Sequence, residues 1–241
     1  MKVRAIKTRI FKEGENLVSF ICEHIRHLKE SSVLVITSKI VALAEKRTAV
    51  IKNTRTKEKL IRKESDLAIL TKHVWLTIKD GMVMASAGID ESNANGKLIL
   101  LPKDSFKTAR LLRKILKRKY GLKELAVLIT DSRTIPLRAG VTGVALGYAG
   151  FRGVRDYRGT RDIFGRMFQF SRTDIADSLA TAAVLVMGEG AEQKPLAIIT
   201  EAPVEFSDKT NRKELSINIK DDMYRPLFTH LSKIDNPRPK R

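Results

Sequence analysis

The sequence has very little cysteine, since Cys22 is the single one among 241 residues. One cysteine cannot form a disulfide within the chain, and this excludes the small secreted folds that depend on disulfides. A reducing compartment is the simplest interpretation, so we expect a cytoplasmic protein.

Long apolar runs are missing as well. No stretch approaches the roughly 18 apolar residues that a transmembrane helix needs. Basic residues such as Lys2, Arg4 and Lys7 interrupt the region where a signal peptide would have its apolar core. We therefore expect no membrane partner.

The common nucleotide-binding motifs are absent too. The chain contains neither a P-loop nor the Gly-x-Gly-x-x-Gly dinucleotide motif. Any nucleotide must therefore be held by other means.

Negative charge is scarce relative to positive charge. The chain has 46 Lys and Arg against 27 Asp and Glu, a net charge of +19. Such a surplus favours an anionic partner, either a nucleotide or nucleic acid. Hydrophobic residues still make up 43% of the chain, which is enough for a core, and the length allows one large domain or two small ones.

Residues 125–138, LAVLITDSRTIPLR, are the stretch on which the interpretation centres. Residues 125–129 are consecutive apolar residues, which predicts a short buried strand that ends before Asp131. Asp131 and Ser132 then offer a carboxylate and a hydroxyl that could hold a cation, and the arginines just beyond could hold anions. This pattern predicts a metal that carries phosphate.

A second acidic cluster lies at residues 87–93, AGIDESN. Its two carboxylates, hydroxyl and amide, from Asp90 to Asn93, suit Mg²⁺ or Mn²⁺, which prefer oxygen ligands. An Asx-type turn ahead of Asn95 and Gly96 explains the same residues, and on these residues alone it is the better interpretation.

Ser38 and Lys39 follow another predicted buried strand, residues 33–36, and precede a helix-like segment. A lysine and a hydroxyl at such a junction could hold phosphate with help from the helix N-terminus. A simple N-cap at Thr37 or Ser38 is the alternative.

Two further helices are predicted. One, over residues 106–119, has an apolar stripe and many basic residues. It could bind nucleic acid, but a solvated basic face is the commoner explanation. No aromatic residues lie between the basic residues to stack bases. The other runs from a cap at Thr173 or Asp174 to Met187, is largely buried, and ends at Gly188. Glu189 then lies between two glycines whose backbone can approach a ligand closely.

The strands are irregularly spaced, and Asp80-Gly81 marks a hairpin between residues 73–78 and 82–85. This order of elements favours an α+β fold over a doubly wound sheet.

Taken together, the clusters resemble the coenzyme F420-0:L-glutamate ligase family. The resemblance is carried by AGIDESN, by ITDS at residues 129–132, by VITSKIVALAE at residues 35–45, and by DYRG, DIFGR and ADSLATAAVLVMGEG within residues 156–190. It extends over roughly residues 5 to 200. The chain also resembles a bacterial branch assigned to folate metabolism as a γ-glutamate ligase.

The resemblance implies two closely packed α+β subdomains with mainly antiparallel or mixed sheets, within residues 1–206, and a basic polar extension over residues 207–241. It implies a homodimer that binds GTP or ATP, L-glutamate, a cofactor acceptor (F420-0 or a reduced folate), two Mg²⁺ or Mn²⁺ ions per active site, and a monovalent cation such as K⁺.

The resemblance also implies a set of site residues. Asp90 and Asp131 would share one metal, and Ser132 and Glu189 would hold the second. Asp131 and Arg138 would be catalytic. Beyond the resemblance, we expect Arg133, Arg138, Arg155 and Arg158 to line the anionic acceptor and glutamate pockets; a structural ion pair is the alternative for each of them. The nucleotide contacts would be Thr8, Arg9, Ile10, Phe11, Ser38, Lys39, Asn93, Met187, Gly188, Glu189, Gly190, Ala191, Glu192, Gln193 and Lys194.

The sequence departs from the family pattern at two places. The usual Asp-Thr-x-Gly-Arg-Pro-x-Arg reads DSRTIPLR at residues 131–138, which keeps a hydroxyl at Ser132 but changes the glycine and the arginine. A nucleotide-contacting lysine is replaced by Leu43, for which Lys39 or Lys46 could compensate. The metal residues are retained, whereas the choice of nucleotide and acceptor stays open.

The activity implied by the resemblance is amide formation through an acyl phosphate, with metals and cations neutralising the phosphoryl group as it moves. One alternative is a basic nucleic-acid-binding protein, against which the clustered carboxylates argue. Another is a nucleotide-binding relative that has lost catalysis, against which the retained metal residues argue.

Overall fold

The structure is a computed structural model that describes residues 1–50 and 53–231. The chain divides into two compact units. Unit 1 consists of Met1–Arg47 and Pro102–Leu215, and unit 2 consists of Thr48–Leu101 and Ser216–Arg241. The end of the predicted basic extension, residues 232–241, lies outside the described residues.

Unit 1 is built on a six-stranded mixed sheet in the order β1-β12-β2-β8-β9-β13. The neighbours β2 and β8 run parallel, and the other pairs are antiparallel. A separate two-stranded ribbon joins β10 and β11. The strands of this unit are β1 Lys2–Ile6, β2 Ser32–Thr37, β8 Leu125–Thr134, β9 Val141–Phe151, β10 Val154–Asp156, β11 Arg172–Asp174, β12 Leu196–Thr200 and β13 Phe206–Ser207.

The helices of unit 1 are α1 Leu17–His24, α2 Ser38–Ala44, α4 Ser105–Tyr120 and α5 Ile175–Met187. Side chains cap three of these helices: Asn16 caps α1, Asp104 caps α4 and Asp174 caps α5. Helix α4 ends at Gly121, whose left-handed φ of 66° suits glycine.

The core of unit 1 lies between the sheet and its helices. Residues 33–36 of β2 and 125–129 of β8 are apolar on both faces and buried. Alternate residues of these strands, such as Val35 and Leu128, pack with Leu179 and Ala183 of α5, while α4 packs on β8 and β9. This burial on both faces explains why the strands read as continuous apolar runs.

Two glycines of β9 allow the helices to approach the sheet closely. A Cβ added at Gly143 would lie 2.4 Å from the backbone oxygen of Ala180 in α5. One added at Gly147 would lie 2.5 Å from the backbone nitrogen of Phe106 in α4. Both neighbours are backbone atoms, so the helix itself would have to shift.

We therefore expect Gly147→Ala to lower the free energy of unfolding by about 1–3 kcal/mol, as overpacking does. Urea unfolding measures this value. Gly190→Ala is the matched control, since its added Cβ would meet no atom closer than 3.4 Å. Equal stability of the two variants would contradict this packing of α4 on β9.

Unit 2 contains two small sheets, β3 with β7 and β4-β5-β6. Its described elements are β3 Thr48–Val50, α3 Thr54–Glu64, β4 Leu67–Leu70, β5 Trp75–Lys79, β6 Met82–Ala85, a 3-10 turn Ser86–Gly88, β7 Lys97–Ile99 and α6 Arg225–Leu231. Its core contains Ile61, Trp75 and Leu98.

The structure confirms the predicted α+β class, since the chain combines helices with mixed and antiparallel sheets. It confirms the hairpin, in which Asp80 and Gly81 both have positive φ between β5 and β6. The expectation that α5 is largely buried is wrong at Leu185 and Val186, which lie on its outer face and are exposed. In the part of the chain that the structure describes, no helix has the length and apolar character to cross a membrane.

Candidate active site

The carboxylate and hydroxyl of the central stretch lie inside β8 and not at its end. The prediction that this strand stops before Asp131 is wrong, because β8 continues to Thr134 and pairs with β9 as far as Thr134 with Val141. A bulge separates the two parts of this ladder, between Ile129 and Thr130. Neighbouring side chains on a strand point to opposite faces, so Asp131 and Ser132 are directed apart.

Ser132 contacts the loop that follows α5. Its hydroxyl donates a hydrogen bond to Glu189 Oε2 at 2.9 Å. The two residues are 57 positions apart in sequence. They meet because α5 packs on the face of the sheet formed by β8 and β9, where Gly143 of β9 lies opposite Ser132 and next to Ala180 of α5. The structure thus brings together the two residues predicted to hold one metal.

The Ser132 and Glu189 oxygens fit a small divalent cation. Both are hard oxygen donors, the kind that Mg²⁺ and Mn²⁺ prefer. Their separation of 2.9 Å is also about the distance between adjacent ligands in an octahedron with bonds of roughly 2.1 Å. Among the described residues, no group of three or more His, Cys, Asp and Glu is placed to hold a metal.

Asp131 is half-buried and forms a local hydrogen bond. Its Oδ1 accepts the backbone N–H of Ser132 at 2.9 Å. This bond orients the carboxylate along the strand. The assignment of Asp131 to a metal stays a prediction.

Three of the segments predicted to contact the nucleotide lie side by side. The backbone N–H of Thr8 donates to Gln193 O at 2.9 Å, and that of Thr37 donates to Pro195 O at 3.0 Å. The segment after β1, the start of α2 and the loop before β12 therefore meet at one edge of the sheet. This edge also carries Glu189, since it lies in the same loop.

The loop over residues 188–193 is folded around Glu192. The Gly190 N–H donates to Glu192 Oε2 at 2.8 Å, and a Cβ on Gly188 would lie 2.3 Å from the Glu192 carboxyl carbon. Gly188 has φ of 82° and ends α5, as predicted. Met187 is buried at the helix end, residues 189–193 are exposed, and Lys194 is half-buried.

Among the other predicted nucleotide contacts, Thr8 and Phe11 are buried and Ile10 is exposed. Arg9 is held by two carboxylates, Glu15 at 3.0 Å and Glu23 at 2.9 Å, and its guanidinium lies over the Phe20 ring. These carboxylates raise the pKa of Arg9 and so favour its charged form.

Ser38 and Lys39 form the first turn of α2. Thr37 occupies the N-cap position, but its side chain makes no capping hydrogen bond to the described residues around it. The prediction of an N-cap at Thr37 or Ser38 is therefore correct in position only. Ser38 is buried and Lys39 is half-buried.

Asp90 and Asn93 belong to unit 2. Asp90 shares two backbone hydrogen bonds with Ile99, and its carboxylate accepts the Ser92 N–H at 2.7 Å and the Ser92 hydroxyl at 3.0 Å. This is the Asx-type turn that the sequence predicted as an alternative. Asn93 is exposed with φ of 52°. The metal role of Asp90 and the nucleotide role of Asn93 stay predictions.

The four predicted arginines differ in their partners. Arg133 pairs with Asp177 at 3.3 Å and Arg158 with Asp156 at 2.5 Å, which are the structural ion pairs considered above. Arg158 holds the pKa of Asp156 down at about 2. Arg155 donates to Pro203 O, and Arg138 lies exposed in the loop between β8 and β9. Their substrate roles stay predictions.

Sequence reasoning missed the role of Asp177. Its carboxylate accepts the backbone N–H of Ala145 at 2.8 Å as well as the Arg133 guanidinium, and so it links α5, β8 and β9. An acidic residue three positions after the Asp174 cap was the available signal. Desolvation of its carboxyl raises the pKa of Asp174 to about 6 from its ordinary 3.8, and the Asp177 charge adds to the shift. The hydrogen bond from the Asp177 N–H and the Arg133 charge oppose the shift, and the residue as a whole is exposed.

We expect a pH-dependent effect of Asp174→Asn on stability. A carboxyl whose pKa is higher in the folded state stabilises the fold fully below about pH 4, and loses that contribution as pH rises through about 6. Asparagine also caps helices but does not titrate. The wild-type free energy of unfolding should therefore fall relative to the variant between about pH 4 and 6, by about 1 kcal/mol because solvent screens the site.

Denaturant titrations of both proteins at a series of pH values measure this difference. Carboxylates with lowered pKa values, such as Asp156 and Glu15, cause the opposite trend of stability with pH. Both proteins contain these carboxylates, so their effect cancels when the stability of the variant is subtracted from that of the wild type. A constant difference across this pH range would contradict the assignment.

Comparison with known proteins adds an independent finding. The sequence profile of the F420-0:gamma-glutamyl ligase family matches residues 5–201. Three similar proteins are each named coenzyme F420:L-glutamate ligase. That of Methanopyrus kandleri is 36% identical, covering 79% of this chain and 82% of the relative. That of Methanosarcina mazei is 34% identical, covering 89% and 92%. That of Methanococcus maripaludis strain C7 is 34% identical, covering 82% and 86%.

With the family profile matching most of the chain, including β8, α5 and the loop that carries Glu189, the chain belongs to the F420-0:gamma-glutamyl ligase family.

Proposed function

We propose that this protein is a ligase that joins L-glutamate through an amide bond to the carboxylate of coenzyme F420-0. The observation that carries the proposal is the family match over residues 5–201, within which the Ser132 and Glu189 side chains meet at 2.9 Å. The names of the three relatives support the same reaction and the same acceptor.

The chemistry requires an activated acceptor. A carboxylate does not react with an amine at neutral pH because its oxygen is a poor leaving group. In our proposal GTP, or ATP, phosphorylates the carboxylate, and the glutamate amine attacks the acyl phosphate to release phosphate. The nucleotide would lie along the sheet edge where the segments at Thr8, Ser38 and Gln193 meet, which places the triphosphate next to Glu189.

The metals in this proposal are two Mg²⁺ or Mn²⁺ ions. Asp131, Ser132 and Glu189 are the residues of unit 1 that would hold them, and the ions would supply positive charge for the phosphate oxygens. Ser132 and Glu189 are held by each other, and Asp131 is held by the Ser132 N–H. These oxygens are therefore already positioned and need little rearrangement to bind.

A reduced folate is the competing acceptor. The change at Thr134 and Ile135, where the family pattern has glycine and arginine, lies just beyond the candidate metal residues. Arg133 is held by Asp177, so its guanidinium is fixed at the entrance to this segment. We propose that residues 133–138 contact the acceptor and determine which one is used.

The test is incubation with each nucleotide in turn, Mn²⁺, L-glutamate and either F420-0 or a reduced folate, with products read by mass spectrometry. The proposal expects a glutamyl addition to F420-0 that requires a nucleoside triphosphate. Addition to folate alone would overturn the acceptor, and addition to neither would overturn the proposed reaction.

We also propose that the protein is a homodimer. The segment between β10 and β11 carries exposed apolar side chains, including Ile163, Phe164 and Phe170, each more than 85% exposed. Such side chains are typical of surfaces that bind a partner. Light scattering should give twice the chain mass of 27.1 kDa, and a monomer at micromolar concentration would exclude the dimer.

A further inference from the structure

A basic groove of about 540 Å³ lies on unit 1 beside α4. Five cationic side chains line it, and Asp208 is the acidic residue among the lining residues. The cations are Arg110, Arg113, Lys114, Lys117 and Arg118. Gly121, Leu122, Ala149 and Thr210 complete the wall.

The spacing of these cations places them on one face of the helix. They follow one another at intervals of three, one, three and one residues, which is the periodicity of a single helix face. From Arg110 to Arg118 the helix rises about 12 Å at 1.5 Å per residue. The opposite face of α4 carries the buried Ala109, Leu112 and Leu116. Packing of α4 on the sheet therefore fixes where the basic row points.

Only part of this charge is neutralised within the protein. Arg113 donates to Asp208 at 2.6 Å and to Leu125 O at 2.6 Å, and Lys117 lies 3.9 Å from Asp208. Over residues 1–50 and 53–231, no carboxylate forms an ion pair with Arg110, Lys114 or Arg118, and all three are exposed. The helix dipole accounts for cations in the last turn of α4, such as Lys117 and Arg118, but not for those at 110 to 114.

The groove is distant from the candidate active site. Ala149 in its wall pairs with Val127 of β8. Ser132 lies five positions along β8 from Val127, which is about 17 Å at 3.3–3.4 Å per residue. The cations of the groove therefore cannot contact a phosphate bound at Ser132 and Glu189.

The lining indicates the class of ligand. Three of the five cations are arginines, whose planar guanidinium binds phosphate oxygens in pairs. Among the described residues that line the groove, none is aromatic and could stack a base or ring. The five cations and the one carboxylate leave a net charge of about +4 over about 12 Å of the helix, or about one charge per 3 Å. This spacing is close to that of the phosphates in one nucleic-acid strand, which is about 3.4 Å along the axis. These features match a row of phosphates and not a nucleoside.

We propose that the α4 groove is a second binding site, which holds a chain of linked phosphate groups such as an oligonucleotide backbone or inorganic polyphosphate. Binding is electrostatic and independent of base sequence. It is separate from the ligase reaction, so it stands whether or not the proposed function is correct.

The test compares the wild type with two charge-matched triple variants. Arg110→Gln/Lys114→Gln/Arg118→Gln removes the unpaired cations of the groove. Lys72→Gln/Lys119→Gln/Lys123→Gln removes the same charge at exposed positions outside it. Fluorescence anisotropy measures binding of a labelled oligothymidylate over a range of salt concentrations, with tripolyphosphate and a polyglutamate peptide as competitors. Thermal unfolding checks that both variants are folded.

The proposal expects the groove variant to lose at least about tenfold in affinity at low salt and to lower the salt-dependence slope by about 2, since three contacts at about 0.7 each are removed. The control variant should lose less than about twofold. Displacement by tripolyphosphate but not by the peptide supports the phosphate class, and the relative affinities of the two phosphate probes identify the source.

Equal losses in the two variants would overturn the proposal, because net charge alone would then explain binding. Displacement by the peptide at the same charge concentration would also overturn it and would indicate an acidic protein partner. Asp208→Asn is a second variant that is informative even if the triple variant does not fold. It removes the groove's carboxylate and should tighten binding by about twofold to fivefold; weaker binding would contradict the assignment.

Discussion

Replacing Asp131 with asparagine is expected to lower kcat for glutamate addition by about a thousandfold or more. Such a loss corresponds to about 4 kcal/mol of transition-state stabilisation. Asparagine has nearly the same shape, and its Oδ1 can still accept the Ser132 N–H that Asp131 accepts at 2.9 Å. The fold of β8 should therefore be kept, while the negative charge needed to hold a divalent cation is lost.

The Asp131→Asn assay is single-turnover and steady-state ligation at several Mn²⁺ concentrations. We expect the loss to persist at saturating nucleotide. Glu201→Gln is the matched control, because it also removes one negative charge. Glu201 pairs with Lys2 just after β12, at the end of that strand opposite to the loop that carries Glu189. Unchanged activity of Asp131→Asn, with the control also active, would remove Asp131 from the site.

Replacing Glu189 with glutamine should lower kcat by about a hundredfold or more, and should raise the Mn²⁺ concentration needed for half-maximal activity. Glutamine can still accept the Ser132 hydroxyl, so the contact between β8 and the loop after α5 persists. What is removed is the charge of a metal ligand. Activity against Mn²⁺ concentration separates the two effects, because a purely structural role would lower activity without moving the Mn²⁺ midpoint.

Ser132→Ala provides the comparison for Glu189→Gln. It removes the hydroxyl and leaves Glu189 charged but without its 2.9 Å partner. If the two residues hold one cation, each single variant should shift the Mn²⁺ midpoint, and the double variant should shift it by less than the sum of the two. Strict additivity would contradict a shared ion.

Elements whose signals are local were predictable from the sequence. Helix α4 begins at the Asp104 cap and ends at Gly121, and α5 begins at Asp174 and ends at Gly188. The Asp80-Gly81 hairpin likewise depends on two adjacent residues. Caps and tight turns are determined by residues close in sequence, so no tertiary contact is needed to place them.

Features that depend on tertiary contacts were not predictable in this way. The extension of β8 past Ile129 follows from its pairing with β9. Polar residues such as Ser132 do not by themselves predict that a strand continues through them. The ion pair of Arg133 with Asp177 joins residues 44 positions apart. Ser132 and Glu189 were linked only by the family resemblance, because spacing alone cannot show that a strand and a distant loop meet.

The net charge of +19 had two interpretations in the sequence, a nucleotide or nucleic acid. Part of the charge lies on the α4 groove, about 17 Å along β8 from Ser132 by strand geometry. In our two proposals, the two kinds of anionic partner therefore bind to different surfaces of unit 1.

F420-0 glutamylation and nucleotide cleavage should be measured together, in the wild type and in Asp131→Asn. We expect wild-type protein to add a glutamyl residue to F420-0 with release of one nucleoside diphosphate and one phosphate per bond formed. Asp131→Asn, folded as judged by its unfolding transition, should do neither. Glutamylation that proceeds equally in the variant, or nucleotide cleavage that is not coupled to the amide bond in the wild type, would contradict the proposed function.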